Sequence, residues 1–195
     1  MMLLLIFLAG NAQNAIQARK ILDKTADVVG RKGGASASFK ITSAKLGNTS
    51  ATIATKRNML HANTPKAIVW YNGKTQWSYM SATNEVNVST PNEAKQMSMN
   101  PYKFITMYRN GYNISASTFG TNYKVHLSAL NKQRSVQELY IIIDKKTNKP
   151  SQVKMRQGNS WTTIDISNFK AENQSDDSFA FNSKDYPSAE IVDLR

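Results

Sequence analysis

The sequence contains no cysteine among its 195 residues. This absence excludes thiol nucleophiles, cysteine-based zinc sites, iron–sulfur clusters and lipid attachment through an N-terminal cysteine. Histidine is also scarce, since His61 and His126 are the only two in the chain. No Gly-rich phosphate loop, nucleophile elbow or His-Glu-x-x-His motif is present. The sequence therefore predicts no catalytic residue, no metal site and no cofactor, and it argues against an enzyme.

Acidic residues are few, and the resulting basic excess is unevenly distributed. The chain carries 25 Lys+Arg against 13 Asp+Glu, a formal net charge of +12. Between Asp27 and Glu85 there are eight basic residues and no acidic one, whereas Glu172–Arg195 has six acidic residues and two basic ones. The basic region is typical of a surface that meets anionic lipid headgroups or an acidic docking partner. The alternative is a mixed, solvated surface.

The N-terminus has the pattern of a secretory leader. Residues 1–9 form an unbroken apolar run, which is followed by Gly10-Asn11-Ala12-Gln13. A short apolar run that ends in small residues fits a signal peptide cut after Ala12, and nine residues are too few to cross a membrane as a helix. We therefore predict a signal peptide at 1–12 and a single soluble domain at 13–195, exported to the periplasm. The alternative is a buried N-terminal segment.

One helix followed by a long run of strands is predicted for the rest of the chain. Asn14 is placed to cap a helix over Ala15–Val29, and Gly30 is placed to end it. The predicted strands are Ala35–Ile41, Thr49–Thr55, Met59–Ala62, Ala67–Tyr71, Lys74–Ser81, Glu85–Ser89, Tyr112–Thr118, Tyr123–Ala129, Val136–Asp144, Ser151–Gln157 and Trp161–Phe169. Short strands joined mostly by turns favour an α+β, mostly β fold, with an antiparallel sheet that must curl, close or be covered.

The dipeptide Asn72-Gly73 is the strongest hairpin signal in the sequence. A two-residue type I′ turn there predicts the pairs Tyr71–Lys74, Trp70–Thr75, Val69–Gln76 and Ile68–Trp77. Alternation then gives one face the residues Ile68, Trp70, Trp77 and Tyr79, and the next hairpin, with its loop near Ala82–Glu85, adds Val86 and Val88. This aromatic face is either an ordinary core or the wall of an apolar cavity.

A methionine-bearing segment follows the hairpins. Asn100 can cap a helix there, and Gly111 can end it. The apolar stripe of that helix consists of Pro101, Phe104, Ile105 and Tyr108, and the surrounding methionines are Met97, Met99 and Met107. Methionine adapts to irregular apolar partners. We predict a short amphipathic lid helix across the sheet; the alternative is that the methionines fill gaps in a core.

The remaining polar residues show no spacing typical of a catalytic or metal-binding site. His126 alternates with Val125 and Leu127 in a predicted strand and is expected to face solvent. His61 has no carboxylate near it in the sequence, so both histidines are expected to be structural. The acidic pair Asp176-Asp177 lies in a polar loop and is expected to be solvated.

The hairpin Asn72-Gly73-Lys74-Thr75-Gln76-Trp77-Ser78-Tyr79 resembles that of the outer-membrane lipoprotein carrier family, LolA. The resemblance extends to Ile21-Leu22-Asp23-Lys24 in the N-terminal helix, to the Ala37-Ser38-Phe39 strand and to the Pro101–Ile105 helix. It continues to a final Phe179-Ala180-Phe181 strand, and the Asp193-Leu194-Arg195 ending is similar to that of Bacteroidetes-type members. The order of these segments and the total length match the family.

The resemblance implies a half-open, incomplete antiparallel β-barrel whose apolar concave face is covered by the N-terminal helix and a helical lid. Family members accept a triacylated lipoprotein from an inner-membrane ABC transporter, shield its acyl chains and pass it to an outer-membrane receptor. The expected function is therefore that of a monomeric periplasmic carrier of lipoproteins or related lipids, with transient contact to membrane surfaces. The residues expected to contact acyl chains are Phe39, Ile41, Ile68, Trp70, Trp77, Tyr79, Val86, Val88, Met97, Met99, Phe104, Ile105, Met107 and Tyr108.

Arg57 carries a further expectation from the resemblance. Family carriers commonly have a Lys-Arg-Pro-Asn-type turn whose arginine can bond the lid backbone, and the segment here reads Thr55-Lys56-Arg57-Asn58, without the proline. Arg57 is expected to contact the lid, or else to be a solvated turn residue.

Two other classes of function remain as alternatives. An envelope lipid-sensing or general hydrophobic-ligand-binding module of the same fold would bind acyl chains to signal rather than to transport. Such sensors usually carry a second domain, and we expect a single domain in this sequence. A nucleic-acid binder is suggested only by the basic composition. Export argues against it, and Trp70 and Trp77 are predicted on the apolar face rather than among basic residues.

Overall fold

The structure, a computed structural model, describes residues 4–44, 47–92 and 106–195. Its helix is α1 (Leu4–Val29), and its strands are β1 (Ala35–Ser43), β2 (Gly47–Lys56), β3 (Met59–Asn63), β4 (Ala67–Tyr71), β5 (Gln76–Met80), β6 (Glu85–Ser89), β7 (Tyr112–Phe119), β8 (Asn122–Ala129), β9 (Glu138–Asp144), β10 (Pro150–Gln157), β11 (Ser160–Lys170) and β12 (Glu190–Asp193). Two short 3-10 helices, Asp176–Phe179 and Ser183–Asp185, precede β12. Within the described ranges, no helix combines the length and apolarity needed to span a bilayer.

The strands form one sheet in the order β12-β6-β5-β4-β3-β2-β1-β11-β10-β9-β8-β7. The sheet is not closed, so β12 and β7 are its two edge strands. Neighbouring strands within β2–β6 and within β7–β11 are antiparallel, whereas β12 runs parallel to β6. The predicted fold class, an N-terminal helix with an open, mostly antiparallel sheet, is confirmed.

The N-terminal helix differs from the prediction at its start. It ends at Val29, directly before Gly30, as the sequence indicates, but it begins at Leu4. Asn14 therefore lies inside the helix and is not its cap. Its side chain instead bonds the backbone of Ala116 in β7, with the amide nitrogen donating to the carbonyl and the amide oxygen accepting from the N–H.

The chain divides into two compact units, and the first comprises Met1–Val28, Ile41–Asn48 and Tyr102–Ile166. Its strands β7–β10 and the start of β11 bury side chains largely in alternation. The buried face carries Val125, Leu127, Leu139, Ile141 and Ile143, which are fully buried. Helix α1 contributes a buried stripe of Ala18, Ile21, Leu22 and Thr25. These apolar surfaces form the core of the first unit.

The second unit comprises Val29–Lys40, Thr49–Pro101 and Ser167–Arg195. Its central hairpin corrects the predicted turn. Tyr71 pairs with Gln76 and Trp70 with Trp77, two residues beyond the expected register, because the loop has four residues and not two. The side chain of Asn72 accepts hydrogen bonds from the N–H groups of Lys74 and Thr75 and so widens the turn. A shift of two residues keeps every side chain on its predicted face, since the side-chain period of a strand is two.

The end of the chain also departs from the prediction. The expected strand Phe179-Ala180-Phe181 is wrong, because Asp176–Phe179 forms a 3-10 helix. The last strand is instead β12, which the sequence analysis did not predict. Its residues Ile191 and Asp193 pair with Val86 and Val88 of β6. Four residues with two carboxylates and no strong alternation give little strand signal, so pairing with β6 decides the conformation.

Candidate functional site

Strands β2–β6 of the second unit have two faces, which the register defines. We call one the aromatic face: it carries Lys56, His61, Ile68, Trp70, Trp77, Tyr79, Val86 and Val88. We call the other the aliphatic face: it carries Ala51, Ile53, Thr55, Leu60, Ala62, Ala67, Val69, Tyr71, Gln76, Ser78, Met80, Glu85, Asn87 and Ser89. The two faces meet different surroundings.

The aromatic face is covered by residues 174–186, which we call the C-terminal segment. Trp70 contacts the rings of Phe181 and Tyr186, with ring centroids 5.5 and 5.6 Å away and both contacts edge-on. Tyr186 also lies 4.6 Å from the ring of Tyr79, and Phe179 is fully buried. Edge-on aromatic pairs are favourable beyond the area that they bury. The segment is therefore held to this face by a cluster of four rings.

A charged contact holds the same segment beside the rings. The ammonium group of Lys56 lies 2.6 Å from a carboxylate oxygen of Asp176 and donates to the backbone carbonyl of Gln174 at 2.7 Å. The bond from Lys56 holds the pKa of Asp176 below its ordinary value. Asp176, expected to be solvated only, thus has a partner within the chain, although its side chain is 62% exposed.

This arrangement bears on the predicted acyl-contacting residues of the hairpins. Ile68, Trp70, Trp77, Tyr79, Val86 and Val88 do share one face, as predicted. Trp70, Val86 and Val88 are buried, and the ring neighbours found for Trp70 and Tyr79 belong to the C-terminal segment and to His61. Of the two interpretations of this face, a core and a cavity wall, the contacts of Trp70 correspond to the core. The prediction expected a helix over this face, whereas Phe181 and Tyr186 contact Trp70 there.

Exposure on the aliphatic face increases along β3–β5 with distance from the Asn72 turn, whereas Ala51 and Ile53 of β2 are buried. Leu60 and Tyr71 are buried at the turn end. In the middle, Ala62 and Val69 are half-buried, and at the far end Met80 is exposed. The face is largely apolar on β2–β4, whereas β5 and β6 add the polar residues Gln76, Ser78, Glu85, Asn87 and Ser89. A mostly apolar surface with a small number of placed polar groups is the usual composition of a lipid or small-molecule site, which makes this face the candidate site of the second unit.

The residues of the aliphatic face are absent from the predicted acyl-contacting set. The alternation that singles out Ile68 and Trp70 leaves Val69 and Tyr71 on the opposite side, so the signal for the second face was present. Aromatic bulk favoured the other side of the hairpin as the ligand wall, and sequence alone does not say which face another segment will cover.

Residues predicted in the first strand and the lid have mixed surroundings. Phe39 is 2% exposed, and Ile41 is half-buried; both lie on the side of β1 that alternation predicts. Met107 is half-buried. Tyr108 is buried, and its hydroxyl donates a hydrogen bond to the carboxylate of Asp23 in α1. Met97, Met99, Phe104 and Ile105 lie outside the described residues.

Tyr108 anchors the part of the predicted lid that the structure describes to α1. Burial, together with the bond to the Asp23 carboxylate, raises the pKa of its hydroxyl. The guanidinium groups of Arg19 and Arg109 lie 5.7 and 6.0 Å from the centre of its ring. The phenol therefore stays neutral and remains a hydrogen-bond donor to α1.

Arg57 lies at the β2–β3 turn, exposed and with a left-handed backbone (φ 54°). The bonds from this turn to the C-terminal segment are made by its neighbour Lys56, while the charge of Arg57 contributes to lowering the pKa of Asp176. A contact between Arg57 and the lid stays a prediction, since 93–105 are not described.

The two histidines have different surroundings. His61 stacks on Trp70, with ring centroids 5.6 Å apart, and burial lowers its pKa. His126 stacks on Tyr140 at 4.4 Å and bonds the carboxylate of Glu138, so it is not simply a solvent-facing residue. Among the described residues, no group of three or more His, Asp or Glu is arranged to hold a metal ion. A pocket of about 450 Å³ near Glu138 and Arg156 has a mainly polar lining, which does not suit an acyl chain.

Known proteins resemble most of this chain in sequence pattern or in fold. The sequence matches, over residues 8–159, the family described as outer membrane lipoprotein carrier protein LolA. Among solved structures, an uncharacterized conserved protein from Thermus thermophilus superimposes with a TM-score of 0.61 at 12% identity, covering 91% of this chain and 99% of that chain. LprF from Mycobacterium bovis gives a TM-score of 0.51 at 12% identity, covering 83% and 96%. No curated protein matches the sequence. At such identities the structural likeness concerns the fold alone.

Proposed function

The chain belongs to the family of the outer membrane lipoprotein carrier protein LolA, and from this premise we propose that it is a periplasmic carrier of lipoproteins. It binds their acyl chains on an apolar sheet face and ferries them from the inner to the outer membrane. The proposal includes a secretory leader at 1–12, an inner-membrane ABC transporter as donor and an outer-membrane receptor as acceptor. The proposed function involves no chemical step, and we propose no enzymatic activity.

The observation that carries the proposal is the combination of the family match with the aliphatic face. The match spans residues 8–159 and so includes all of β2–β5. Burying each methylene of an acyl chain contributes about 0.8 kcal/mol, without any need for a specific partner group. On this face the half-buried Ala62 and Val69 and the exposed Met80 offer that contact. The C-terminal segment contacts the opposite side of β4 and β5.

Adjacent residues on β4 allow the two faces to be tested separately. Val69 on the aliphatic face and Ile68 on the aromatic face are both half-buried and differ by one methylene. We propose to measure binding of a fluorescent fatty-acyl probe to wild type, Val69→Asn and Ile68→Asn. The expected result is that Val69→Asn weakens binding about tenfold or more, by placing an amide against the chain. Ile68→Asn then serves as the matched control, with binding close to wild type.

The outcomes separate the possibilities. If Ile68→Asn alone weakens binding, the aromatic face is the ligand wall and the assignment to the aliphatic face is wrong. If wild-type protein purified from its own envelope carries no lipid by native mass spectrometry and takes up no acyl probe, the carrier proposal fails. Uptake of acyl probes without transfer of a lipoprotein to acceptor membranes would instead favour the lipid-sensing or general ligand-binding module. Unfolding midpoints of both variants distinguish lost binding from lost folding.

A further inference from the structure

Two turns of the first unit lie side by side at one end of its strands. The first turn, residues 119–122, joins β7 to β8, and the second, residues 144–149, joins β9 to β10. The backbone N–H of Lys145 donates to the carbonyl of Thr121 at 3.1 Å, and the ammonium group of Lys145 donates to the carbonyl of Gly120 at 2.9 Å. These bonds hold the two turns together, and we call the pair the sheet tip.

The sheet tip has an excess of positive charge. Its turns contain Lys145, Lys146 and Lys149 against the single carboxylate of Asp144, a net charge of +2. That carboxylate accepts hydrogen bonds from the hydroxyl and the backbone N–H of Thr147 and from the N–H of Lys146, at 2.7–3.1 Å. The bonds from Thr147 hold the pKa of Asp144 below its ordinary value. Asp144 therefore serves to shape its own turn.

A large apolar side chain is exposed at the same place. Phe119, the last residue of β7, is 60% exposed. It is followed by Gly120, whose backbone is left-handed (φ 55°) and where an added Cβ would meet no atom within 4 Å. The space beside this turn is open, so the ring of Phe119 is available to a partner outside the chain.

An exposed ring beside several ammonium groups is complementary to the surface of an anionic bilayer. Phenylalanine side chains partition into the boundary between headgroups and acyl chains. Each lysine close to an anionic lipid surface strengthens binding about fivefold. An acidic protein partner would also attract the lysines, but it would need a preformed pocket to receive the Phe119 ring. A bilayer needs no such pocket, and it is therefore the partner that both features favour.

We propose that the sheet tip is a membrane-docking site, which binds the surface of a bilayer that contains anionic phospholipids. The ring of Phe119 enters the headgroup layer, and the exposed Lys146 faces the lipid phosphates. This inference rests on the proposed function for its setting, because a carrier approaches a donor membrane and an acceptor membrane. It concerns different residues, since none of the sheet tip belongs to the aliphatic face.

The opposite end of β8 provides matched controls. Leu130, directly after that strand, is 63% exposed, and Lys132 in the following loop is exposed as well. Phe119→Ser and Leu130→Ser each remove an exposed apolar side chain, and Lys146→Glu and Lys132→Glu change the net charge equally. A strand of eight residues separates the two ends by about 25 Å, which exceeds the screening length of about 10 Å at ~0.1 M salt.

Binding is measured by sedimentation of the exported protein with vesicles of phosphatidylcholine and phosphatidylglycerol, and with vesicles of phosphatidylcholine alone. Wild type is expected to bind the anionic vesicles and to dissociate from them at high salt. Phe119→Ser and Lys146→Glu are each expected to weaken that binding about tenfold. Leu130→Ser and Lys132→Glu are expected to bind as wild type does. Unfolding midpoints of all four variants show whether a loss of binding reflects a loss of folding.

Three outcomes overturn the inference. The first is wild type that binds no anionic vesicles. The second is a pair of controls that weaken binding as much as the tip variants, since net charge alone would then explain it. The third is retention on polyglutamate, lost in Lys146→Glu, without vesicle binding, which would assign the tip to an acidic protein.

Uptake of the fluorescent acyl probe by the same proteins keeps the two proposals apart. Wild type that binds vesicles but takes up no acyl probe refutes the carrier proposal and leaves the docking site standing. Wild type that takes up the probe but binds no vesicles refutes the docking site alone.

Discussion

The side-chain amide of Asn14 pairs with the backbone of Ala116 as a neighbouring strand would. Its nitrogen donates to the Ala116 carbonyl at 2.9 Å, and its oxygen accepts from the Ala116 N–H at 2.8 Å. Ala116 lies in β7, the last strand of the sheet. The unpaired groups of an edge strand invite association with other chains, so Asn14 both anchors α1 and blocks part of that edge.

We predict that Asn14→Ala destabilises the protein by about 1–3 kcal/mol, since it removes two part-buried hydrogen bonds. The free energy of unfolding in urea measures this loss, and hydrogen exchange at the Ala116 amide should accelerate in parallel. Asn14→Asp is the matched control: it retains an acceptor for the N–H but faces the carbonyl with a second acceptor. An unchanged exchange rate at Ala116 in Asn14→Ala would contradict the anchoring role.

The bond between Tyr108 and Asp23 gives a second prediction. Tyr108→Phe should cost about 1.5–3 kcal/mol, the range for a hydrogen bond to a charged group, because the carboxylate loses its donor. Asp23→Asn and the double variant complete a double-mutant cycle. A coupling energy near zero in that cycle would show that the two side chains do not stabilise each other.

Phe181 provides a test of the aromatic cluster. Phe181→Ala should lower the free energy of unfolding by about 2 kcal/mol, because the ring packs against Trp70 and Tyr186. It should also increase the tryptophan fluorescence change caused by external quenchers, as Trp70 becomes accessible. Phe119→Ala is the control, since that ring is 60% exposed. Equal effects of the two substitutions would argue against the cluster as the hold on the C-terminal segment.

The lowered pKa of His61 predicts a pH dependence of stability. In the unfolded chain the imidazole takes up a proton as the pH falls through 6.5, whereas in the folded protein burial opposes that charge. The unfolded state therefore binds more protons, and stability falls as the pH decreases from 6.5 towards the lower folded pKa. Thermal unfolding midpoints between pH 7 and pH 5 measure this decline. His61→Phe preserves the stack on Trp70 and should flatten the curve; an equally steep curve in that variant would assign the effect to another group.

Local patterns predicted most of the sheet. The segments Ala67–Tyr71 and Glu85–Ser89 were predicted with their observed bounds, because alternation and flanking turns are both strong there. The turn at Asn72 was wrong in length because an Asn side chain can satisfy two backbone N–H groups and open a longer loop, which dipeptide rules do not capture. The site was harder: its location depends on which face the distant residues Phe181 and Tyr186 cover, and no local pattern carries that information.

The uneven charge distribution is partly balanced by an ion pair within the chain. The basic region between Asp27 and Glu85 was predicted to face an anionic lipid or an acidic partner, or else to be a mixed, solvated surface. Lys56 of that region instead pairs with Asp176 of the acidic C-terminal part. Part of the asymmetry is thus neutralised within the chain, which leaves fewer basic side chains to serve an external partner.

The C-terminal cover has a consequence for the order of folding. Trp70, Tyr79, Val86 and Val88 are synthesised about a hundred residues before Phe181 and Tyr186, which contact the two rings, and β12. While the chain emerges from the ribosome, these side chains lack the segment that covers them in the folded protein. These side chains become covered when the C-terminal segment packs on the aromatic face and β12 pairs with β6. Until that segment is in place, the apolar side chains of the hairpins are exposed to aggregation.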